Sequence, residues 1–410
     1  DAQSIYSFRG AKVENILQFP KKYPEAKIFK LETNYRSTPE ILDLANDSLL
    51  NNEEQFEKEL RAVSPSFEKP ALVEVNDPYA QAKFVSQRIL EMREDGVELK
   101  KMVVLFRAHY HSAELEMELV KRGIPYVVRG GIRFFEQAHI KDVLAYMRIL
   151  VNPQDEIAWI RALTLCPGIG PGYAERIYEV FIKSGRDIMA FIRSHNIGNM
   201  VPQKAGKGYE KFRKIMEAIT SPGAAALPGE IINTILESGY EMHVLTNFDN
   251  AKDRVDDIHE LVNFSHEYKT VSEFLNDIML RENFRGETLT GNQEDEEYLV
   301  LSTIHQAKGL EWDAVLVIGL SEGQFPHAKS YIDNKEMEEE RRLFYVAVTR
   351  AKRYLYLLHP LTRYDYQKGT VVSRRSRFLE ELAPASYELW KAETSSLDSS
   401  NEDDGRVIEL

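Results

Sequence analysis

The stretch YLVLSTIHQAKGLEWDAVLVI, residues 298–318, decides the fold. It holds two apolar runs, Tyr298–Ile304 and Ala314–Ile318, on either side of a short polar segment. A strand with one wet face alternates apolar with polar residues. An unbroken apolar run suits a strand covered on both faces, and such strands make parallel sheets. In sheets of that kind ligands sit outside the carboxyl ends of the strands, which is where the connecting segment Thr303–Glu311 is expected to lie.

Working outward, the same strand-then-helix grammar recurs. Ile28–Leu31 reads as a strand that runs through Asn34, Tyr35 and Arg36 into a helix. Ser37 is its expected N-cap, Pro39 suits the first turn, and Glu40 stands at capping-box spacing. A strand over Met102–Phe106, a helix over about Ser112–Arg122 and a strand at Tyr126–Val128 follow. Strands alternating with helices predict a parallel α/β sheet. From Phe134 to about Leu280 the period changes to that of helices: Ile140–Val151, Glu156–Leu163, Tyr173–Ser184, Tyr209–Ile219, Pro228–Ser238, Lys252–Tyr268 and Val271–Leu280. The expected plan is therefore an α/β domain over 28–133 and 286–390, interrupted by a mostly helical insertion over 134–285. Residues 1–27 read as the trailing end of a preceding lobe, and 391–410, rich in Ser, Asp and Glu, as a tail without fixed structure. No internal repeat stands out.

Composition narrows the class. The 410 residues carry a net charge of -13, and a hydrophobic fraction of 43% is that of a water-soluble globular chain. An acidic balance argues mildly against a nucleic-acid binder, although one basic groove is compatible with it. The single cysteine, Cys166, excludes a disulfide framework and a cysteine-rich zinc site, and no metal ligands are assigned. A reducing, cytoplasmic setting is expected. No apolar run approaches the roughly 18 residues of a membrane span. The start, DAQSIYSFRG, has no signal-peptide pattern, and the missing initiator Met leads us to expect further chain upstream.

Several strings carry chemistry. Gln3 to Ala11 places Tyr6, Phe8 and Arg9 near a glutamine; alone it is equally an ordinary strand end. Thr33-Asn34-Tyr35-Arg36-Ser37 offers a flat ring and a guanidinium just before a helix. Leu105-Phe106-Arg107-Ala108, Gly123–Tyr126 and Gly130–Glu136 are plain strand-turn elements by themselves. Leu165–Gly172 is a glycine-rich connector whose backbone N–H groups face a helix start, so it is either an anion cradle or a simple turn. In Glu338–Lys352, read as one helix, Leu343, Ala347 and Arg350 share a stripe at i, i+4 and i+7, which turns Arg350 into the apolar face. A buried guanidinium costs several kcal/mol unless something anionic meets it, either a structural carboxylate or a phosphate.

In this order the strings resemble the motifs of UvrD/PcrA/Rep-like superfamily 1 DNA helicases from motif III onward: Gln3–Ala11, Thr33–Ser37, the Arg107 region, Thr303–Glu311 with Gly319–His327, and Glu338–Lys352. The resemblance implies a RecA-like domain, related to phosphate-loop NTPases but without that loop, carrying a helical insertion. It implies Gln3, Arg36 and Arg350 as catalytic groups around the phosphates of ATP, with Arg350 the second arginine finger. Tyr35, Gly309 and Glu311 are implied at the nucleotide, Tyr35 on the adenine and Glu311 at the ribose. Phe8, Tyr6 and Arg107 are implied along single-stranded DNA, Thr303 and His305 near DNA or the lobe interface, and Gly168, Ile169 and Gly170 on duplex. The implied cofactors are ATP and Mg²⁺, the metal held mostly by an N-terminal lobe. The implied partners are that lobe, single-stranded DNA and single/double-strand junctions, and repair or replication proteins, with no membrane.

A phosphate loop of the form G-x-x-x-x-G-K-[ST] and a strand-borne Mg²⁺ acid are absent from the chain. Gly206-Lys207 lacks the upstream Gly and the following Ser or Thr, and Glu294–Glu297 falls in a polar linker. The expected function is thus the C-terminal portion of an ATP-dependent 3′–5′ DNA helicase. The alternative is a helicase-like DNA-binding or regulatory module that does not hydrolyse ATP. A helicase–nuclease subunit ranks below both, because no carboxylate cluster followed by a lysine comes after Leu389.

Overall fold

The computed structural model describes residues 1–7, 10–129, 134–185, 187–193, 203–220, 227–248, 251–266, 268–283, 297–365, 368–393 and 406–409. Phe8, Gly130–Arg133, the linker 286–296 and the tail segment 394–405 lie outside the described residues. Eight strands form one sheet. They are β1 Ala71–Val75, β2 Met102–Phe106, β3 Tyr126–Arg129, β4 Leu299–Thr303, β5 Trp312–Val317, β6 Ala351–Pro360, β7 Glu388–Glu393 and β8 Arg406–Glu409. Their order is β8-β7-β1-β6-β5-β2-β4-β3, and every neighbouring pair is parallel.

Parity along the strands shows why the apolar runs are unbroken. Val103, Leu105, Val315 and Val317 enter the core on one face. Met102, Val104, Phe106, Ala314 and Leu316 enter the core on the other. The first face is covered by the helix Asn334–Val348, through Leu343, Phe344 and Ala347, and by the helix Pro39–Asp47, through Ile41, Leu44 and Ala45. Over the second lie the helices Pro78–Glu94, through Phe84, Val85 and Ile89, and Ala113–Lys121, through Leu115 and Leu119. This is the three-layer α/β arrangement expected from residues 298–318. Among the described residues no helix is long and apolar enough to cross a membrane.

The chain divides into two compact units: Asp1–Gly131 with Gly291–Tyr364 and Thr370–Leu410, and Ile132–Thr290 with Asp365–Gly369. The second unit is helical. It includes Ala138–Val151, Glu156–Thr164, Pro171–Lys183, Gln203–Thr220, Pro228–Ile235, Ala251–Ser265 and Val271–Asn283, with the shorter Ile188–Arg193 and Glu241–Asn247 not foreseen. Trp159 stacks on Phe181 at 4.7 Å, with Phe212 5.4 Å away. In the same unit, buried Tyr240 Oη and half-buried Arg161 Nε each donate to buried Asp142, both at 2.7 Å.

Three local expectations need correction. Ile28–Leu31 is not a strand: Ile28, Phe29 and Leu31 are 52%, 82% and 88% exposed, and only Thr33–Asn34 pairs, with Arg61–Ala62. An apolar extended run becomes a strand only where a second strand meets its backbone and a layer covers its side chains. Ser37 is not the cap of the next helix. Thr38 holds that position without a side-chain bond, because the Ser37 hydroxyl donates instead to the Ala351 carbonyl at 2.7 Å. Finally, the tail is not all unstructured, since residues 391–393 belong to β7 and Arg406–Glu409 pairs with it as β8.

Gly208 marks a tight contact inside the helical unit. A Cβ there would lie 2.2 Å from the Pro167 carbonyl oxygen, so the helix Gln203–Thr220 and the turn before Gly168 meet backbone to backbone. Gly208→Ala must push that turn away, at a cost of about 1–3 kcal/mol for overpacking. A thermal melt of the variant should show a Tm several degrees lower; an unchanged Tm would mean that the turn gives way freely.

Candidate functional site

Two neighbouring segments bring the charged groups together. Asn34 Oδ1 accepts the N–H groups of Arg36 (2.8 Å) and Ser37 (3.0 Å) and turns the chain. The Ser37 hydroxyl and the Thr38 N–H then bind the Ala351 and Lys352 carbonyls, which lays this turn against the start of β6. Arg36 is thereby set beside Thr349.

The helix Asn334–Val348 stops two residues before Arg350, so Arg350 is not on its apolar stripe as expected. Its guanidinium folds back over the helix end and is 1% exposed. Nε donates to the Val346 carbonyl (3.0 Å), Nη1 to the Leu310 carbonyl (3.0 Å) and Nη2 to the Thr349 hydroxyl (3.2 Å). A helix C-terminus leaves carbonyls without partners, and its dipole favours a cation. Among the described residues the buried charge therefore meets neutral oxygens and no carboxylate. Burial, with Arg36 as the next contribution, pulls its pKa down to about 10, which leaves it charged at neutral pH.

Arg36 is held differently. Its Nε pairs with Glu311 Oε2 at 2.5 Å and its Nη1 donates to the Thr349 carbonyl at 3.0 Å. The other oxygen of Glu311 meets Lys352 Nζ at 3.1 Å, and Lys352 lies 3.9 Å from Asp313. Hydrogen bonds from Arg36 and then Lys352 hold the Glu311 carboxyl below its ordinary range. Side chains of Arg36, Lys352 and Glu311 are 27%, 32% and 43% exposed. Ion pairs this wet are worth about 0–1 kcal/mol, weak enough for a phosphate to displace. Thr349 joins the two arginines, one through its carbonyl and the other through its hydroxyl.

The remaining expected residues fall into three groups. The first runs along Thr303–Glu311. Tyr6 Oη donates to the His305 carbonyl at 2.8 Å, and Lys308 Nζ binds the Gln3 carbonyl at 2.8 Å while standing 5.0 Å over the Tyr6 ring. Buried Thr303 caps the turn Ile304–Ala307, exposed Gly309 sits at φ +90°, and Gln3 is exposed. Tyr35 is 78% exposed. A second group centres on Arg107, whose Nε pairs with Glu340 at 2.8 Å; Glu340 also accepts the His327 N–H at 3.2 Å. The third is in the helical unit, where Gly168 takes φ +83°, Gly170 caps Pro171–Lys183, and Ile169 is buried, leaving backbone alone to face a ligand.

The carboxyl-end rule locates only part of this. Thr303 ends β4, but Glu311 precedes β5 and Arg350 precedes β6, so the arginine cluster gathers at the amino ends of those strands. Lys352 and Thr349 were not singled out, and nothing beyond adjacency to Arg350 signals them.

Residues 29–360 match the family described as UvrD-like helicase C-terminal domain. The chain belongs to that family. It is 33% identical over 394 residues to the ATP-dependent DNA helicase PcrA of Bacillus subtilis (strain 168), covering 93% of this chain and 53% of that protein. A Staphylococcus aureus (strain Mu50) protein of the same name is 32% identical with the same coverage. This UvrD-like chain thus spans about half the length of the curated relatives it matches. A solved C-terminal domain of a possible DNA helicase from Lactobacillus plantarum WCFS1 covers 87% of this chain and 98% of its own at 12% identity, with a TM-score of only 0.34.

His111 is a further buried group of this UvrD-like unit that sequence reading missed. Neither ring nitrogen has a hydrogen-bond partner among the described residues. Burial, then the charges of Arg107, His327 and Arg363, lower its pKa from 6.5 to about 3. The folded chain therefore keeps His111 neutral while the unfolded chain protonates it below about pH 6.5, so between pH 6.5 and 3 the unfolded state binds more protons and stability falls as pH falls. Urea unfolding at pH 7, 5 and 4 should show a shallower loss for His111→Gln than for the wild type; parallel losses would contradict this.

Proposed function

We propose that this chain is the C-terminal portion of an ATP-dependent 3′–5′ DNA helicase, serving an ATP site shared with an N-terminal lobe. The observation that carries the reading is the pair of guanidiniums joined at Thr349, with Arg36 partly open to solvent and the exposed Tyr35 preceding it in sequence. An exposed ring one residue before Arg36, with partly exposed Arg36 and Lys352 sharing Glu311, is the set of groups that would take a base and phosphates. Among the described residues no cluster of three acids, histidines or cysteines stands ready for a metal. The Mg²⁺ ligands in this reading belong to the other lobe. When bound, Mg²⁺-ATP supplies the phosphoanhydride to be cleaved; this chain contributes positive charge against its outer phosphates.

Further support comes from Ile16, Phe19, Tyr23, Ile28, Phe29 and Leu31, all exposed within 16 residues of sequence. Such an apolar run on a water-facing arm suits cover by a neighbouring lobe. For DNA the reading assigns Phe8, Tyr6, Arg107, Thr303 and His305 to the single strand and the backbone of Gly168–Gly170 to duplex. A repair or replication setting comes with that substrate.

One observation favours the second reading, a helicase-like module without hydrolysis: every nitrogen of the sealed Arg350 guanidinium is already engaged within the chain. Turnover decides between the two. In the complete polypeptide, Arg36→Ala and Arg350→Ala should each lower DNA-stimulated kcat by roughly 10³-fold or more, with KM for ATP moving far less. Near-wild-type rates would remove the two arginines from catalysis, whereas no DNA-stimulated turnover in the unsubstituted complete polypeptide would favour the module. The 410-residue chain alone should show no DNA-stimulated ATP hydrolysis.

A further inference from the structure

Adjacent residues of one loop hold both arginines. The Leu310 carbonyl takes Arg350 and the Glu311 carboxylate takes Arg36. Gly309, before them, has φ +90° with open space where a side chain would be, so the loop is not packed in place at that point. For Arg36 to reach a phosphate it must leave Glu311. What then happens to the carboxylate depends on Lys352, which already holds its other oxygen at 3.1 Å and sits one residue past the strand start that pins Ser37. Were Lys352 absent, Arg36 would be the one cation bonded to Glu311, and the carboxylate would be free to grip it with both oxygens. With Lys352 present the carboxylate is shared, and Arg36 leaves without stranding a negative charge.

Resting on the nucleotide-site reading above, we propose that Lys352 is a positioning residue for hydrolysis: it draws off Glu311 so that Arg36 is released toward the phosphates. Lys352 needs no contact with the nucleotide for this role. It acts through one carboxylate, and that makes the idea separable from a general effect of charge. Asp313, 3.9 Å from Lys352, is a second, weaker carboxylate partner for the ammonium.

A double-mutant cycle in the complete helicase polypeptide tests this, with DNA-stimulated ATP hydrolysis as the readout and a thermal melt for folding. Lys352→Met should lower kcat about tenfold with KM for ATP within about twofold, and Lys352→Arg should restore most of it. In a Glu311→Gln background, where no carboxylate is left to draw off, Lys352→Met should cost less than about twofold. An unchanged kcat in Lys352→Met, or the same tenfold loss in both backgrounds, overturns the proposal. Failure of the underlying reading looks different: Arg36→Ala would itself leave turnover intact.

Discussion

A guanidinium sealed from water with no carboxylate beside it is the constraint around which this site is organised. Burying such a charge costs several kcal/mol unless its donors are met. Arg350 meets that cost with the open end of the helix before it, a threonine hydroxyl and a carbonyl from a loop 40 residues earlier. Those three acceptors come from two separate segments, so satisfying one cation fixes the loop at Leu310 against the helix end at Thr349. Glu311 follows from Leu310, and Arg36 follows from Glu311 and the Thr349 carbonyl. The partly exposed arginine thus takes its position from the sealed one.

The charged string before it has comparably specific employment. Glu339 accepts the Ser7 N–H, Glu340 pairs with Arg107, Arg341 forks onto Glu381, and Arg342 donates to the Ser4 carbonyl. A run of five charges would ordinarily be a solvated face. Here it straps residues 4–7 and the Arg107 turn to one helix, and within the strapped segment Tyr6 meets His305 of the Thr303–Glu311 segment.

Much of this was legible in the sequence, for stated reasons. Unbroken apolar runs at 298–304 and 314–318 required cover on both faces, and the two cores deliver it. Helical periodicity found the long helices of the second unit but not Ile188–Arg193 or Glu241–Asn247, which at six and seven residues are too short for a period to show. Arg350 was read correctly as buried but wrongly as helical, because a seven-residue spacing cannot reveal that a helix ends at its sixth position. Ser37 misled because a cap and a tether to Ala351 need the same hydroxyl, and only tertiary contact chooses between them. The carboxyl-end rule reached Thr303 and missed the arginine cluster, since an eight-residue connection carries the chain from the end of β4 to the beginning of β5. Ile28–Leu31 has the composition of a strand yet lies exposed, because among the described residues no second strand meets its backbone.

The central claim is that Arg36 and Arg350, gathered at Thr349, neutralise the outer phosphate of a nucleotide. A crystal structure of the complete polypeptide with DNA and Mg²⁺-ADP-aluminium fluoride tests it most directly. The account predicts both guanidiniums within hydrogen-bond distance of the fluoride, and Glu311 left on Lys352. A metal fluoride bound elsewhere, with Arg36 still on Glu311 and Arg350 still on the Val346 and Leu310 carbonyls, would contradict it.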